Sequence, residues 1–110
     1  MKQLRYTDVA RNDLVDAWLY LAEKSQPAAD EMLAALTKDV ERLAMYPQLG
    51  RHREDLVKSL PKSLHSWPSS TGYMIYYQHS ERELLLVRVL HHTRDILQAM
   101  ITDHLDELSS

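Results

Sequence analysis

The chain has no cysteine in its 110 residues, which excludes a disulfide framework, a thiolate zinc site and a cysteine nucleophile. Glycine is scarce, with only Gly50 and Gly72. No G-x-x-x-x-G-K-[ST] loop or G-x-G-x-x-G turn can therefore be written, and backbone amides are not expected to cradle a nucleotide. No H-E-x-x-H pattern occurs, and no serine stands in a G-x-S-x-G context. These absences predict neither a metal nor a cofactor. Long apolar runs are also missing. The opening Met1-Lys2-Gln3-Leu4-Arg5-Tyr6 is interrupted by charge, and nothing approaches the roughly 18 to 20 apolar residues of a membrane span. The expectation is no membrane contact and a cytoplasmic location.

What the chain does have fits one domain over residues 1–110. Apolar residues make up 45% and charged residues 26%, enough for a single core. The net charge of -3 divides unevenly. Residues 1–46 carry six Lys and Arg against eight Asp and Glu, residues 47–94 carry seven against four, and residues 95–110 carry four acids and no base. Five of the six histidines (His52, His65, His79, His91 and His92) fall in the positive middle. Such a surface favours an acidic partner or a phosphate backbone over an ordinary mixed surface only weakly.

Periodicity supplies the elements. Gln3 to Tyr6 reads as a strand, followed by Thr7 or Asp8 as a helix N-cap. Ala10, Leu14, Ala17, Trp18 and Leu21 make the stripe of a helix ending near Lys24. Ser25-Gln26-Pro27 breaks and restarts the pattern, since proline fits the first helical turn. Ala29, Met32, Leu33, Leu36, Val40 and Leu43 then mark a second helix reaching Met45 or Tyr46, and the short break implies an antiparallel hairpin. Residues 47–62 read as loop, with one turn of helix at 54–58. Strands follow at Leu64 to Trp67, Tyr73 to Gln78 and Leu84 to Leu90. Alternation sets Tyr73, Ile75 and Tyr77 against Met74, Tyr76 and Gln78, and sets Leu85, Val87 and Val89 against Leu84, Leu86, Arg88 and Leu90. The last strand is apolar on both faces, as expected for a covered central strand. Residues 96–110 form an amphipathic helix or a flexible tail, with Leu97, Met100, Ile101, Leu105 and Leu108 on one face. The fold class is α+β, a helical hairpin on one face of a small, mostly antiparallel sheet.

Chemistry concentrates where the last strand ends, at His91-His92-Thr93-Arg94-Asp95. On an extended backbone adjacent histidines point to opposite sides, which argues against a shared metal. Metal-independent RNA cleavage remains open from the residues alone. It needs a base for the ribose 2′-hydroxyl, an acid for the leaving oxygen and cations for the phosphorane. His91 or His92 with Tyr77 or Tyr73 could move protons, and Arg51, Arg53, Arg88 or Arg94 could balance charge. Each also has a plainer reading: Pro47 and Gly50 as a helix stop, Tyr77 as core with its hydroxyl bonded, and Arg94-Asp95 as a local pair.

The order helix, helix, YPQLGR (Tyr46 to Arg51), strand, YMIYY, strand, RVLHHTRD (Arg88 to Asp95) resembles the RelE/ParE superfamily of toxins from bacterial toxin–antitoxin pairs. The resemblance runs from Leu4 to about Ile96 and is to the ParE branch in particular. RVLHHTRD is similar to that branch's ending, through Arg88, Val89, Leu90, His91, Arg94 and Asp95, and Pro47, Gly50 and Arg51 match its loop. The sequence departs from the RelE branch, since YMIYYQ has no base, the last strand has only Arg88, and the tail is acidic and lacks Tyr. The resemblance implies a toxin neutralised by the amphipathic C-terminal segment of a cognate antitoxin, in a higher-order hetero-oligomer. It also implies inhibition of DNA gyrase when the toxin is free, with no catalytic residue and no sequence-specific DNA binding. Arg51, Arg53, Arg88, His91, His92 and Arg94 are the candidate contacts to target or antitoxin. Two alternatives stay open: a ribosome-dependent mRNA endonuclease using His91, His92, Arg88 and Tyr77, and a decayed member that only binds its antitoxin.

Overall fold

A computed structural model describes residues 2–53 and 64–94, with residues 96, 98 and 99. Strand β1 (Gln3–Tyr6) leads through Thr7 into helix α1 (Asp8–Ala22). The Thr7 hydroxyl accepts the Ala10 N–H at 3.0 Å, satisfying one orphan donor of the first turn. It also donates to the Val87 carbonyl at 2.9 Å, so one side chain caps the helix and ties it to the sheet. Helix α2 (Gln26–Met45) starts in the same way: Ser25 accepts the Ala28 N–H at 3.2 Å, with Pro27 in the first turn. Trp18 Nε1 donates to Asp30 Oδ1 at 2.9 Å across the hairpin. The helices then pack their shared stripe, with Ala10, Ala17, Met32, Leu36, Val40 and Leu43 all buried.

The stretch expected as loop holds two short elements, a 3-10 turn at Pro47–Leu49 and strand β2 (Arg51–His52). Strands β3 (His65–Pro68), β4 (Tyr73–His79) and β5 (Glu83–His91) follow. The sheet order is β1-β5-β4-β3-β2, in which only β1 with β5 is parallel. The expected α+β hairpin-on-sheet architecture is therefore the observed one. The helical turn expected at 54–58 lies outside the described residues.

Strict alternation fails in β5. Tyr76 pairs with Arg88 but Tyr77 pairs with Leu86, so Val87 is an extra residue, a β-bulge. Past the bulge the faces exchange. Leu84, Leu86 and Val89 join the core under the helices, while Val87 and Leu90 join a second cluster with Leu64, Tyr76, Ile96 and Ala99. The expected grouping of Leu85, Val87 and Val89 is thus corrected, because one inserted residue reverses the parity of everything beyond it. β4 carries no insertion, and its two faces divide as expected, Ile75 and Tyr77 against Met74 and Tyr76. The described tail positions, Ile96, Gln98 and Ala99, are helical, and Ile96 and Ala99 are buried against the sheet's second face. Leu97, Met100, Ile101, Leu105 and Leu108 lie outside the described residues. Among those described, no helix is long and apolar enough to cross a membrane.

Candidate functional site

β1 ends at Tyr6, opposite Leu86 of β5, so on that side β5 runs on without a strand and α1 covers the edge instead. Asp13 fills the gap. Its Oδ2 accepts the Val89 backbone N–H at 3.0 Å, supplying the bond a neighbouring strand would have made. The same carboxylate takes Arg88 in a two-pronged pair, Nε to Oδ2 at 2.8 Å and Nη2 to Oδ1 at 3.0 Å, and Nη1 reaches the Ala99 carbonyl at 3.4 Å. Arg88 is 6% exposed. A desolvated pair of this kind holds because each charge meets the other in good geometry. Arg88 therefore fastens α1, β5 and the tail together, with its donors turned inward.

Directly beyond this pair a cleft of about 520 Å³ opens between α1 and the end of β5, lined by Asp13, Asp16, Tyr20, Tyr73, Val89, Leu90, His91, Thr93 and Arg94. His91 ends the strand and is exposed. The Thr93 N–H at 3.4 Å and its hydroxyl at 2.8 Å both meet His91 Nδ1, an arrangement that favours the proton on the outward Nε2. The Arg94 N–H closes the turn onto the His91 carbonyl at 2.9 Å. His92 is already in that turn, not in the strand, and its N–H bonds the Gly72 carbonyl at 3.0 Å. The expectation that the two rings point apart is corrected accordingly: their centroids are 4.3 Å apart at 34°. Tyr73 meets His91 edge-on at 5.5 Å. Burial first, then nearby Tyr20, raise the Tyr73 pKa above its ordinary value. At neutral pH its hydroxyl is a hydrogen-bond donor and not a base.

Gly72 makes this corner possible. Its φ of +90° lies where a side chain is strained, and the turn it completes is held by the Ser69 carbonyl and the hydroxyls of Ser69 and Thr71. Beside the cleft, α1 carries a second set of apolar side chains, Val15 55% and Leu19 52% exposed, next to Tyr20 of the cleft wall at 65%. Lys24 Nζ lies 5.3 Å from the Tyr20 ring centroid.

The other sequence candidates lie elsewhere. Tyr77 is fully buried. Its hydroxyl donates to the Pro47 carbonyl and accepts the Gly50 N–H at 2.9 Å, so it locks the 3-10 turn to the sheet. A Cβ on Gly50 would sit 2.2 Å from that oxygen, which is why the position is glycine although its φ of -74° is ordinary. Arg51 and Arg53 stand at β2, three strand spacings of about 4.8 Å from β5. Arg51 is exposed. Arg53 donates to Ser66 Oγ at 3.4 Å and lies 5.9 Å from the Tyr76 ring. The structure thus brings His91, His92 and Arg94 together and leaves Arg51, Arg53, Arg88 and Tyr77 apart from them. Asp95 lies outside the described residues. The sequence reading missed the α1 wall, Asp13, Asp16 and Tyr20. Its available signal was the apolar row of Val15, Leu19 and Tyr20, which falls off the main helical stripe. Among the described residues, no group of three or more His, Asp or Glu side chains could hold a metal ion.

No curated protein matches the chain. Among solved structures, a chain of the chromosomal ParDE TA system from P. aeruginosa is similar in fold, with a TM-score of 0.66 at 16% identity, covering 83% of this chain and 96% of that one. The family model for the ParE toxin of type II toxin-antitoxin system, parDE, matches residues 4–96. With that match over most of its length, the chain belongs to the ParE toxin family of type II toxin–antitoxin systems.

Proposed function

We propose that this ParE toxin acts by non-covalent contact with DNA gyrase and is held inactive by a cognate antitoxin. The observation that carries the reading is the separation of the groups a nuclease would need. Tyr77 is sealed against Pro47 and Gly50, Arg88 is neutralised by Asp13, and the cleft sets Arg94 and His91 opposite Asp16. A phosphorane needs several convergent cations beside an acid and a base, whereas a protein contact needs shape, aromatic area and a few placed charges. The cleft offers the second set.

The antitoxin reading rests on the apolar row of Val15, Leu19 and Tyr20 beside the same cleft. An amphipathic segment could lay its apolar face along this row, covering well over ~1,200 Å² to offset its ordering entropy. A partner of this kind and a gyrase target place the protein in the cytoplasm, in a hetero-oligomer with the antitoxin. The exposed His91 imidazole beside Arg94 supports the second reading, an mRNA endonuclease. Purified protein is expected to inhibit supercoiling by gyrase and to leave ribosome-bound mRNA intact. Cleaved transcripts with normal supercoiling, abolished by His91→Gln, would replace the first reading with the second. Loss of both activities in a chain that still binds antitoxin would leave antitoxin binding alone.

A further inference from the structure

The outer edge of β1 is filled at its first position and open after it. Parallel pairing turns the Gln3 N–H onto the Arg82 carbonyl at 2.8 Å and the Thr7 N–H onto the Leu86 carbonyl at 3.0 Å. Backbone groups alternate sides along a strand, so Gln3, Arg5 and Thr7 serve β5 while Lys2, Leu4 and Tyr6 point outward. β1 stands at the end of the sheet order, and no strand meets them there. Lys2 has a substitute, since its N–H bonds the Ala44 carbonyl in the last turn of α2 at 3.2 Å. Asp13 does the same for the Val89 N–H on the uncovered stretch of β5. Among the described residues, no group answers the backbone N–H and C=O of Leu4 or of Tyr6. Such groups stay in water, and a row of them is a template for another strand.

The side chains along this edge are sorted by face. Leu4 and Tyr6 turn toward the helices and are half-buried against the core. Arg5 turns to the other face, where it is exposed and pairs with Glu83 at 3.2 Å. At the Lys2 end the edge opens into a recess of about 480 Å³ whose lining includes Ala44, Arg82 and Met45, the last 56% exposed.

A second copy of the chain fits this edge poorly. Two-fold antiparallel pairing through these groups sets Leu4 against Tyr6 of the other copy and Arg5 against its own equivalent, with about 5 Å between their Cβ atoms. Like charges directly opposite destabilise such a pair and are a common guard of open edges. An acid opposite Arg5 turns the repulsion into attraction. We infer that the open edge of β1 takes up an extended segment of a partner protein in which an acidic residue stands between two apolar ones. The segment's backbone answers the N–H and C=O groups of Leu4 and Tyr6, its apolar side chains lie beside those two residues on the helix face, and its acid faces Arg5. No residue of β1 lines the cleft, so the inference goes beyond that site and assumes neither gyrase nor antitoxin as the partner.

The test uses the full chain with two capped peptides in excess, TVEVT and TVKVT, followed by backbone amide NMR. TVEVT is expected to shift the Leu4 and Tyr6 amides, to slow their hydrogen exchange, and to bind about fivefold tighter than TVKVT. Arg5→Glu, at an exposed position, should reverse that order. Arg5→Gln, which removes the Glu83 contact without adding repulsion, should abolish the preference. Equal affinities for the two peptides, an absence of shifts at Leu4 and Tyr6, or shifts confined to Tyr73 and His91 would overturn the proposal. Leu4 and Tyr6 amides that broaden with protein concentration alone would overturn the choice of partner in favour of a second copy. None of these measurements reads gyrase inhibition, so the two readings fail separately.

Discussion

Arg88 and Arg94 stand six residues apart in one motif and live in different chemistries. Arg88 is sealed in a two-pronged pair with Asp13 that also satisfies the open edge of β5, while Arg94 is exposed on the rim of the cleft. The strand ends between them, at His91. On one side of that point a cation is used up by the fold, and on the other it stays exposed at the cleft. Matching a family motif therefore does not give its residues a common role.

The sharpest way to break this contrast is Arg88→Ala. It strands the Asp13 carboxylate and removes the donor to the Ala99 carbonyl, and should cost about 3–5 kcal/mol in denaturant unfolding. Replacing both partners, Asp13→Leu with Arg88→Met, should recover part of that loss, because an apolar pair leaves no buried charge while the Val89 N–H loses its acceptor. A cost under about 1 kcal/mol for Arg88→Ala would mean that the pair is not desolvated.

Next in size is the lock at the other end of the sheet. Tyr77→Phe leaves the Pro47 carbonyl and the Gly50 N–H unpartnered and should cost about 1–3 kcal/mol. Gly50→Ala should also destabilise, since its Cβ meets the Tyr77 hydroxyl at 2.2 Å. Gly50→Ala combined with Tyr77→Phe should cost less than the sum of the two. Additive losses would show that the clash and the hydrogen bonds are independent.

Arg94→Ala with His91→Gln should leave stability within about 0.5 kcal/mol and weaken toxicity in cells by about tenfold, consistent with lost contact area. Unfolding of this double variant would merge the two halves of the motif into one structural unit.

The smallest effect is that of pH. His65 and His79 have lowered pKa values when folded, so the unfolded chain takes up protons first as the medium acidifies. Stability should be full above the ordinary imidazole value of 6.5 and should decline as pH falls below it through the folded values. His65→Asn should flatten that decline in thermal unfolding followed from pH about 7.5 to 5. An unchanged profile would place the histidines outside the linkage.

The helices and long strands were legible because each carries its period over several turns or alternations. Thr7, offered together with Asp8, marked the first cap through chemistry that acts within three residues, whereas Ser25 showed only as part of the break before α2. β2 was not legible, because two residues hold no period, and its pairing with Ser66 and His65 is a long-range choice. The bulge at Val87 left no mark in a strand that is apolar on both faces apart from Arg88. The site was half legible. The end of β5 drew notice through its histidines and arginines, while its opposite wall, Asp13, Asp16 and Tyr20, lies more than fifty residues away in sequence and read as an ordinary helix face.

Sequence by itself determined the α+β class, the hairpin and the family, because periodicity and motif order are local properties of the chain. Only the tertiary structure decided which cation is buried and which is exposed, that the His91 and His92 rings meet at a tilt, and that three histidines from three strands, His52, His65 and His79, share one face. Those outcomes depend on where β1 stops, on the turn that follows β5 and on the registers of β2 with β3 and of β3 with β4. Pairing register carries such a choice across the whole sheet, so no local window contains it.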